Sequence, residues 1–323
     1  MNASLTQIED QNNNTFYNSL RRNSKSVTFE KVAKHQRTST CGSGSTMDEE
    51  YNESCLSSSR MDEELSNPQF ISSYRKDIFR YILEEQSNYL PNSCFMEQTQ
   101  KDINQKMRSI LIDWIEEVHM KFKLSSNSLY LAINLIDRYL SYNIVKRNKL
   151  QLVGVASLFI SSKFEEIYPP NIKDFVYVCD RAYTKEEILQ MEGLILNTVN
   201  FSLNYISPLR FLEFTIIENT QIEDNRVFQT QQFQLSSYIL EIALHSYESL
   251  QYMPSQLAQS ALLLSNKILG IQSDIEITDE SKYCATYLLQ LYYNNQNNTL
   301  YPAVKRKYAR EEHLQVSQIT ISI

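Results

Sequence analysis

The sequence predicts an all-α fold of two tandem five-helix domains, preceded by a short helix and a disordered N-terminal tail. Apolar residues recur at the spacing of one helical face along most of the chain after about residue 67. Only 5 residues are glycine and 7 are proline, too few for the many tight turns of a β-sandwich or β-barrel. Two apolar helices that begin near Leu150 and Ser255 lie about 105 residues apart, as expected for two copies of one helical domain.

Residues 1–66 are predicted to form a disordered regulatory tail. They consist mainly of Asn, Gln, Ser, Thr and charged residues. Such a composition buries too little apolar surface to offset an ordering entropy of roughly 1–2 kcal/mol per residue. Two basic clusters, Arg21-Arg22 and Lys34–Arg37, fit a weak nuclear import signal, although such clusters are more often solvated. The two folded domains are predicted over residues 67–206 and 207–323.

The helices of both domains follow from their apolar patterns. In the first domain, one amphipathic stripe runs from Met107 to Phe122, and a second helix spans 128–142. The next helix, 150–162, is apolar on nearly every side, which predicts a central position in the bundle. A capping box at Thr184–Glu187 opens a further helix. The second domain is predicted to contain the helices Gln232–Leu250, Pro254–Leu269 and Glu280–Tyr293, and a terminal helix from Tyr301.

Charge and cysteine usage exclude several classes of protein. The chain has 31 basic and 38 acidic residues, a net charge of −7, which disfavours nonspecific nucleic-acid binding and attraction to anionic membranes. Its 5 cysteines are widely spaced, with no CxxC pair, so neither a disulfide framework nor a zinc ribbon is expected. The longest uncharged apolar stretch, Leu150–Ser162, is too short to span a bilayer. We therefore expect an intracellular, soluble protein without a nucleic-acid or membrane partner.

Motifs of nucleotide-dependent and hydrolytic enzymes are missing from the sequence. It contains no P-loop, GxGxxG, GxSxG or HExxH run. The sequence contains one candidate metal motif, Glu116-x-x-His119, which has the spacing found in carboxylate-bridged di-iron bundles. A second such motif is missing, since Glu241 and His245 are spaced differently, and Glu116 is expected to face water. A metal-dependent helical enzyme stays open as an alternative.

Five short runs of the first domain, in this order and spacing, resemble the cyclin box of mitotic A- and B-type cyclins. They are Met107–Trp114, Leu135–Leu140, Lys149–Gly154, Ser162–Pro170 and Met191-Glu192. The five residues most characteristic of that box appear here as Arg108, Asp137, Leu152, Lys163 and Glu192. The resemblance is dense from Met107 to Leu203 and looser from about 208 to 310. It implies two cyclin-box domains, and the run Ser207–Leu212 favours the B-type slightly.

The resemblance implies a regulatory subunit that binds and activates a cyclin-dependent Ser/Thr kinase in the cell cycle. The kinase contacts that it implies are Lys163, Glu192, Phe164, Glu165, Ile167, Phe201, Leu203, Ile78 and Tyr81. Charges framed by exposed aromatic side chains are typical of interface centres, whereas an ordinary surface pair contributes under about 1 kcal/mol. Because the kinase binds ATP and magnesium, no cofactor, metal or catalytic residue is expected in this chain.

The resemblance also implies an internal ion pair and a docking groove. Arg108 and Asp137 are expected to tie the first helix to the second, and loss of one partner of such a buried pair costs about 3–5 kcal/mol. An exposed groove for Arg-x-Leu peptides of substrates and inhibitors is implied for Met107, Leu111, Trp114, Glu117 and Gln151. The spacing of Met107, Leu111 and Trp114 alone favours a core stripe instead.

The run Asp77–Leu83 resembles the short helix that precedes the cyclin box. Arg80, Leu83 and Asn88 also match the RxxLxxxxN destruction box, which would engage ubiquitin ligase machinery. Mitotic cyclins carry this signal in a flexible tail, so a match within a predicted helix favours coincidence. The expected locations are nucleus and cytoplasm. The other open alternative is a cyclin-fold transcription or scaffold protein, although those that bind DNA present a basic face.

Overall fold

The computed structural model describes residues 74–220, 230–272, 278–298 and 301–320. This part of the chain consists of helices and turns without any strand, which confirms the all-α prediction. No helix among these residues is long and apolar enough to cross a membrane. The predicted tail, 1–66, and its two basic clusters lie outside the described residues.

The α-helices of the described residues are α1 Arg75–Glu85, α2 Phe95–Gln98, α3 Gln105–Phe122, α4 Ser126–Tyr142, α5 Arg147–Glu165, α6 Ile172–Val178, α7 Lys185–Thr198, α8 Pro208–Thr220, α9 Gln231–His245, α10 Pro254–Leu269, α11 Asp279–Asn298 and α12 Pro302–Lys307. Helices α3–α7 correspond to the first predicted five-helix domain, and α8–α12 correspond to the second. The described residues from Glu85 onward belong to one compact unit, whereas the preceding residues of α1 belong to a second unit.

Side-chain caps explain where several helices begin. Asn104 accepts a hydrogen bond from the Met107 amide at the start of α3, and Ser125 caps α4 in the same way. Thr184 and Glu187 form the predicted capping box of α7, with both reciprocal bonds present. The predicted helix Gln232–Leu250 is wrong at its end. It stops at His245, where the Ser249 hydroxyl lies within hydrogen-bond distance of the Ala243 and Ser246 carbonyls, shares its one proton between them and supports a 3₁₀ turn.

Helix α5 lies at the centre of the first domain, as its apolar composition predicts. Every residue from Leu150 to Ser162 is buried, and α5 contacts α3, α4 and α7. Gly154 allows the close approach to α3, because a Cβ atom at this position would lie 2.9 Å from Cδ1 of Leu111 and 3.2 Å from Cδ1 of Ile115. This packing holds the end of α5 and the middle of α7, where the candidate site lies, against a rigid core.

The second half of the chain contacts the first half through the turn after α9. The Tyr247 hydroxyl accepts from the Met96 amide at 3.0 Å and donates to Oε2 of Glu97 at 3.1 Å. Its ring meets the Phe95 ring edge-on, with centroids 5.2 Å apart. Helices α9 and α12 both contact α3 as well. The helix that begins the cyclin-box resemblance is therefore covered by residues more than 100 positions later in the chain.

Candidate functional site

Lys163 and Glu192 form an ion pair between the last turn of α5 and the middle of α7. The Lys163 side chain is 42% exposed and that of Glu192 is 12% exposed, so the pair lies at the protein surface. The Lys163 ammonium also lies 4.2 Å from the centroid of the Phe159 ring and makes a cation–π contact with it. The two helices thus hold both charges at one fixed place.

Large apolar side chains lie close in sequence to this pair and are unusually open to solvent. Phe164, directly after Lys163, is 49% exposed, and Ile167, four positions after Lys163, is 88% exposed, while Phe201 is 66% exposed after α7. Leu203 differs from this set, because it is half-buried and packs against the core. A concentration of exposed large apolar groups beside a charged pair is typical of a binding surface.

The turn that carries Phe201 is strained and is held by Arg138, a residue that sequence reasoning missed. Asn200 and Phe201 both have left-handed backbones, with φ of 52° and 56°, which is costly for residues other than glycine. Arg138, only 8% exposed, donates to the carbonyls of Ser202 at 2.8 Å and Val199 at 3.5 Å. The sequence could have pointed to Arg138, because it directly follows Asp137 in the run LIDRYL that carries the family resemblance.

The two acidic residues that follow Phe164, Glu165 and Glu166, do not belong to the ion pair of Lys163 and Glu192. Glu165 is half-buried, and burial together with the charge of Glu166 raises the pKa of its carboxyl group. Glu166 accepts from the Ser125 amide at 2.7 Å and from the Ser128 hydroxyl at 2.5 Å, at the N-terminus of α4. These contacts fix the direction in which the chain leaves α5.

Ile78 and Tyr81 lie on α1 and are 41% and 61% exposed. The structure describes α1 by itself, so the kinase contacts implied for these residues stay a prediction. Arg80 and Leu83 of the destruction-box match lie inside α1, and Asn88 lies in the 3₁₀ turn Gln86–Tyr89. The expectation that this match falls in a helix is therefore confirmed, and a helical backbone is a poor substrate for recognition as an extended peptide.

The exposure predicted for three groove residues is wrong. Met107, Leu111 and Trp114 are 2%, 0% and 4% exposed and belong to the hydrophobic core. The physical reason is that α3 is covered on several sides, by α5 at Gly154 and by α9 and α12. Their spacing, which favours a core stripe, agrees with this outcome.

The two polar residues of the predicted groove, Glu117 and Gln151, are not part of the hydrophobic core. Glu117 keeps 19% of its side chain exposed and is ion paired with Arg306 of α12. Gln151 is 6% exposed, and its Nε2 and the indole Nε1 of Trp114 are buried N–H donors without a hydrogen-bond acceptor among the described residues. Sequence reasoning missed Arg306, because it lies 189 residues after Glu117.

Arg108 and Asp137 lie together in the interior, each 1% exposed. Nε and Nη2 of Arg108 donate to the two carboxylate oxygens of Asp137 at 2.6 Å each. Nη1 of Arg108 also donates to the Leu244 carbonyl at 3.0 Å, at the end of α9. The pair therefore connects α3, α4 and α9.

The expectation that Glu116 faces water is wrong. Glu116 is 1% exposed, because α9 covers this side of α3 and brings His245 to within 3.6 Å of its carboxylate. Burial, with the charges of Glu241 and Asp113, raises the pKa of Glu116 well above its ordinary value. The predicted partner His119 instead bonds the Ser125 carbonyl through Nε2 at 2.8 Å. The motif Glu116-x-x-His119 thus does not act as a unit.

Fold and site together define a protein of two tandem helical domains that presents a charged pair and exposed apolar side chains close to it in sequence. The chain belongs to the cyclin family: the family model "Cyclin, N-terminal domain" matches residues 77–204 and "Cyclin, C-terminal domain" matches residues 206–322.

Among curated relatives, the chain is 36% identical over 265 residues to the G2/mitotic-specific cyclin-B2 of Bos taurus, a match that covers 78% of this chain. It spans 64% of the length of that relative. The structure resembles a viral cyclin from herpesvirus saimiri, with a TM-score of 0.58 and 18% identity over 68% of this chain and 96% of the other. It also resembles a chain of the yeast RNA polymerase II CTD kinase CTDK-1 complex, with a TM-score of 0.52 and 14% identity over 71% and 88%. These two likenesses concern the fold.

Proposed function

We propose that this chain is the regulatory subunit of a cyclin-dependent kinase and activates it during the mitotic part of the cell cycle. The observation that carries the proposal is the Lys163–Glu192 pair at the surface, together with the exposed side chains of Phe164, Ile167 and Phe201, which follow it closely in sequence. Kinship with G2/mitotic cyclins supports the cell-cycle role.

The chemistry of the pair suits recognition of another protein's main chain. An ammonium group has three donors and a carboxylate about four acceptor positions, so one mutual hydrogen bond leaves most of this capacity unused. The free donors of Lys163 suit backbone carbonyls of a kinase, and the free lone pairs of Glu192 suit its backbone amides. Docking then desolvates the pair while the neighbouring apolar side chains exclude water, which is the arrangement of an interface hot spot.

Activation follows from binding if the interface fits only the active arrangement of the kinase. Moving a kinase from 1:99 to 99:1 in favour of that arrangement takes about 5.5 kcal/mol of differential affinity. An interface with several buried aromatic anchors and a desolvated charged pair supplies energy of this order. In this proposal the kinase binds ATP and magnesium and transfers the phosphate, and this chain contributes no catalytic group.

We further propose that Glu117 and the buried donors of Trp114 and Gln151 take part in docking Arg-x-Leu peptides. These donors lie on α3 and α5, which contact each other. Their unused N–H groups favour a ligand with carbonyl oxygens, because a buried donor without an acceptor is costly. Since Met107 and Leu111 are buried, such a peptide must open the groove as it binds. Residence in nucleus and cytoplasm and removal through ubiquitin ligase machinery remain part of the proposal.

The test is a binding titration of the chain against a panel of purified cyclin-dependent kinases. The variant Lys163→Ala, Glu192→Ala is compared with Lys149→Ala, Glu187→Gln, because Lys149 and Glu187 form a second Lys–Glu pair between the same two helices, at 2.9 Å. Glutamine at position 187 can keep the capping bond to Thr184. We expect the first variant to bind at least about 30-fold more weakly and the second to bind normally. Equal affinities would contradict the proposed site.

A further inference from the structure

A second cluster of chemical groups lies in the interior, between α3 and the end of α9. Asp113, Glu116 and His245 are 7%, 1% and 1% exposed, and one ligand atom of each lies within 4.8 Å of the others. Oε2 of Glu116 and Nε2 of His245 are 3.6 Å apart. The cluster is distinct from the kinase-binding surface proposed above.

The atoms that face each other in this cluster are acceptors. Both carboxylate oxygens of Glu116 and Nε2 of His245 are buried without a hydrogen-bond partner in the part of the chain that the structure describes. Nδ1 of His245 lies 3.1 Å from the Glu241 carbonyl. Because a carbonyl only accepts, Nδ1 carries the proton and Nε2 has the free lone pair. Three buried acceptor atoms without a donor, two on Glu116 and one on His245, are costly, and a cation beside them removes that cost.

The charges around the cluster also favour a cation. Asp113, Glu116 and Glu241 are buried carboxyl groups, and the ammonium of Lys307 is ion paired with Glu241. Ionised, three carboxylates against one ammonium leave two negative charges, which a divalent cation balances. Arg108 lies near His245 but does not change this balance, because it is paired with Asp137.

We propose that Asp113, Glu116 and His245 bind one divalent cation of the zinc class, which joins the two cyclin domains. A ligating histidine ordinarily donates its other N–H to a carbonyl or carboxylate, as His245 does to Glu241. Zinc accepts imidazole nitrogen and carboxylate oxygen at about 2.0–2.2 Å, whereas magnesium prefers oxygen ligands alone.

The side chains must draw closer together to take the ion. Ligand atoms bound to a tetrahedral zinc ion lie about 3.4 Å from one another, so a pair at the outer limit of 4.8 Å must close by about 1.4 Å. The Glu116–His245 pair, at 3.6 Å, is already close to that separation. The amide of Ala303, which directly follows the first residue of α12, donates to Oδ1 of Asp113 at 2.9 Å and orients that carboxylate. An ion here would contact side chains from α3 and α9 and so stabilise the packing of one domain on the other.

The experiment measures zinc content and thermal unfolding of the full chain after removal of metal with a chelator and return of one equivalent of Zn²⁺. The variants are Glu116→Gln and His245→Gln, and the control is His119→Gln, a buried histidine on the same helix outside the cluster. We expect one zinc ion per chain and a higher midpoint temperature with zinc for the wild type and the control, and neither for the two variants.

Two results would overturn the proposal. One is wild-type protein that retains no zinc and unfolds at the same temperature with and without it, in which case Glu116 shares a proton with its neighbours instead. The other is zinc uptake that survives in both variants, which would place the ion elsewhere, for example on the exposed thiol of Cys94. The wild-type protein alone decides whether the chain binds zinc. The proposal can therefore be rejected even if a variant fails to fold.

Discussion

Arg108 binds Asp137 through two parallel hydrogen bonds of 2.6 Å and uses its remaining amino group on the Leu244 carbonyl. One guanidinium therefore joins α3 and α4 of the N-terminal domain to α9, the second helix after the domain boundary. Only arginine has donors in a rigid fork that can serve a carboxylate and a carbonyl at once. The pair is best understood as an architectural element that fixes how α9 meets the cyclin box.

Substitution Asp137→Asn should lower the free energy of unfolding by about 3–5 kcal/mol, because it leaves the buried Arg108 charge uncompensated. Urea denaturation measures the effect. The matched control is Asp102→Asn, since Asp102 pairs with Arg147 at the surface, where the side chains are 37% and 42% exposed. The control should cost under about 1 kcal/mol. Similar losses for the two variants would show that burial of the pair is unimportant.

Arg138 should affect kinase binding through Phe201. The variant Arg138→Met removes two hydrogen bonds to the turn after α7, so the strained backbone at Asn200 and Phe201 is expected to relax and the exposed ring to lose its fixed position. We expect several-fold weaker binding to the kinase. In a Phe201→Ala background, Arg138→Met should cause little further loss of kinase affinity, because both substitutions affect the same contact of the Phe201 ring with the kinase. Fully additive losses in the double variant would instead indicate an independent role for Arg138.

Arg306 should compete with docking peptides for Glu117. The two side chains are ion paired, and the Arg306 side chain is 57% exposed, so the pair is weak enough to be displaced. The variant Arg306→Ala is expected to bind an Arg-x-Leu peptide more tightly, by up to about fivefold, and Glu117→Ala more weakly. Fluorescence anisotropy with a labelled peptide measures both. A peptide whose affinity is unchanged in both variants would exclude Glu117 from docking.

His119 should make the protein less stable in mild acid. Burial lowers the pKa of His119 from 6.5 to about 4, so the unfolded chain takes up a proton that the folded chain does not. The contribution is complete above the unfolded pKa and is lost as the pH falls from about 6.5 towards 4. Relative to His119→Gln, the wild type should lose about 2 kcal/mol of unfolding free energy between pH 7 and pH 5. Parallel pH profiles for the two proteins would contradict this assignment.

Features set by neighbours in sequence could be predicted from the sequence. The capping box at Thr184 and the apolar helix over Leu150–Ser162 depend on residues within a few turns, and the structure has both of them. The end of α9 was predicted wrongly, because the Ser249 side chain bonds the Ala243 carbonyl at the point where the helix stops.

What the sequence could not provide was the exposure of residues on α3. Periodicity identifies one apolar stripe, but it does not reveal that α9 and α12 cover the other faces of the helix. For this reason Glu116 was expected in water, whereas it is buried. The open groove expected for Met107 and Trp114 came from the family resemblance, and the periodicity, which favoured a core stripe, was the better guide. The polar residues Glu116 and His245 were visible in the sequence, yet their proximity depends on a contact 129 positions apart in the chain.

The most direct measurement for this account is the rate of histone-type substrate phosphorylation by a purified cyclin-dependent kinase with and without this chain. We predict that the wild type and Lys149→Ala, Glu187→Gln activate the kinase, and that Lys163→Ala, Glu192→Ala does not, although circular dichroism shows it folded. Activation by the Lys163→Ala, Glu192→Ala variant would contradict the proposed site. Failure of the wild type to activate any of several such kinases would contradict the proposed function and favour a scaffold or transcriptional role for this cyclin fold.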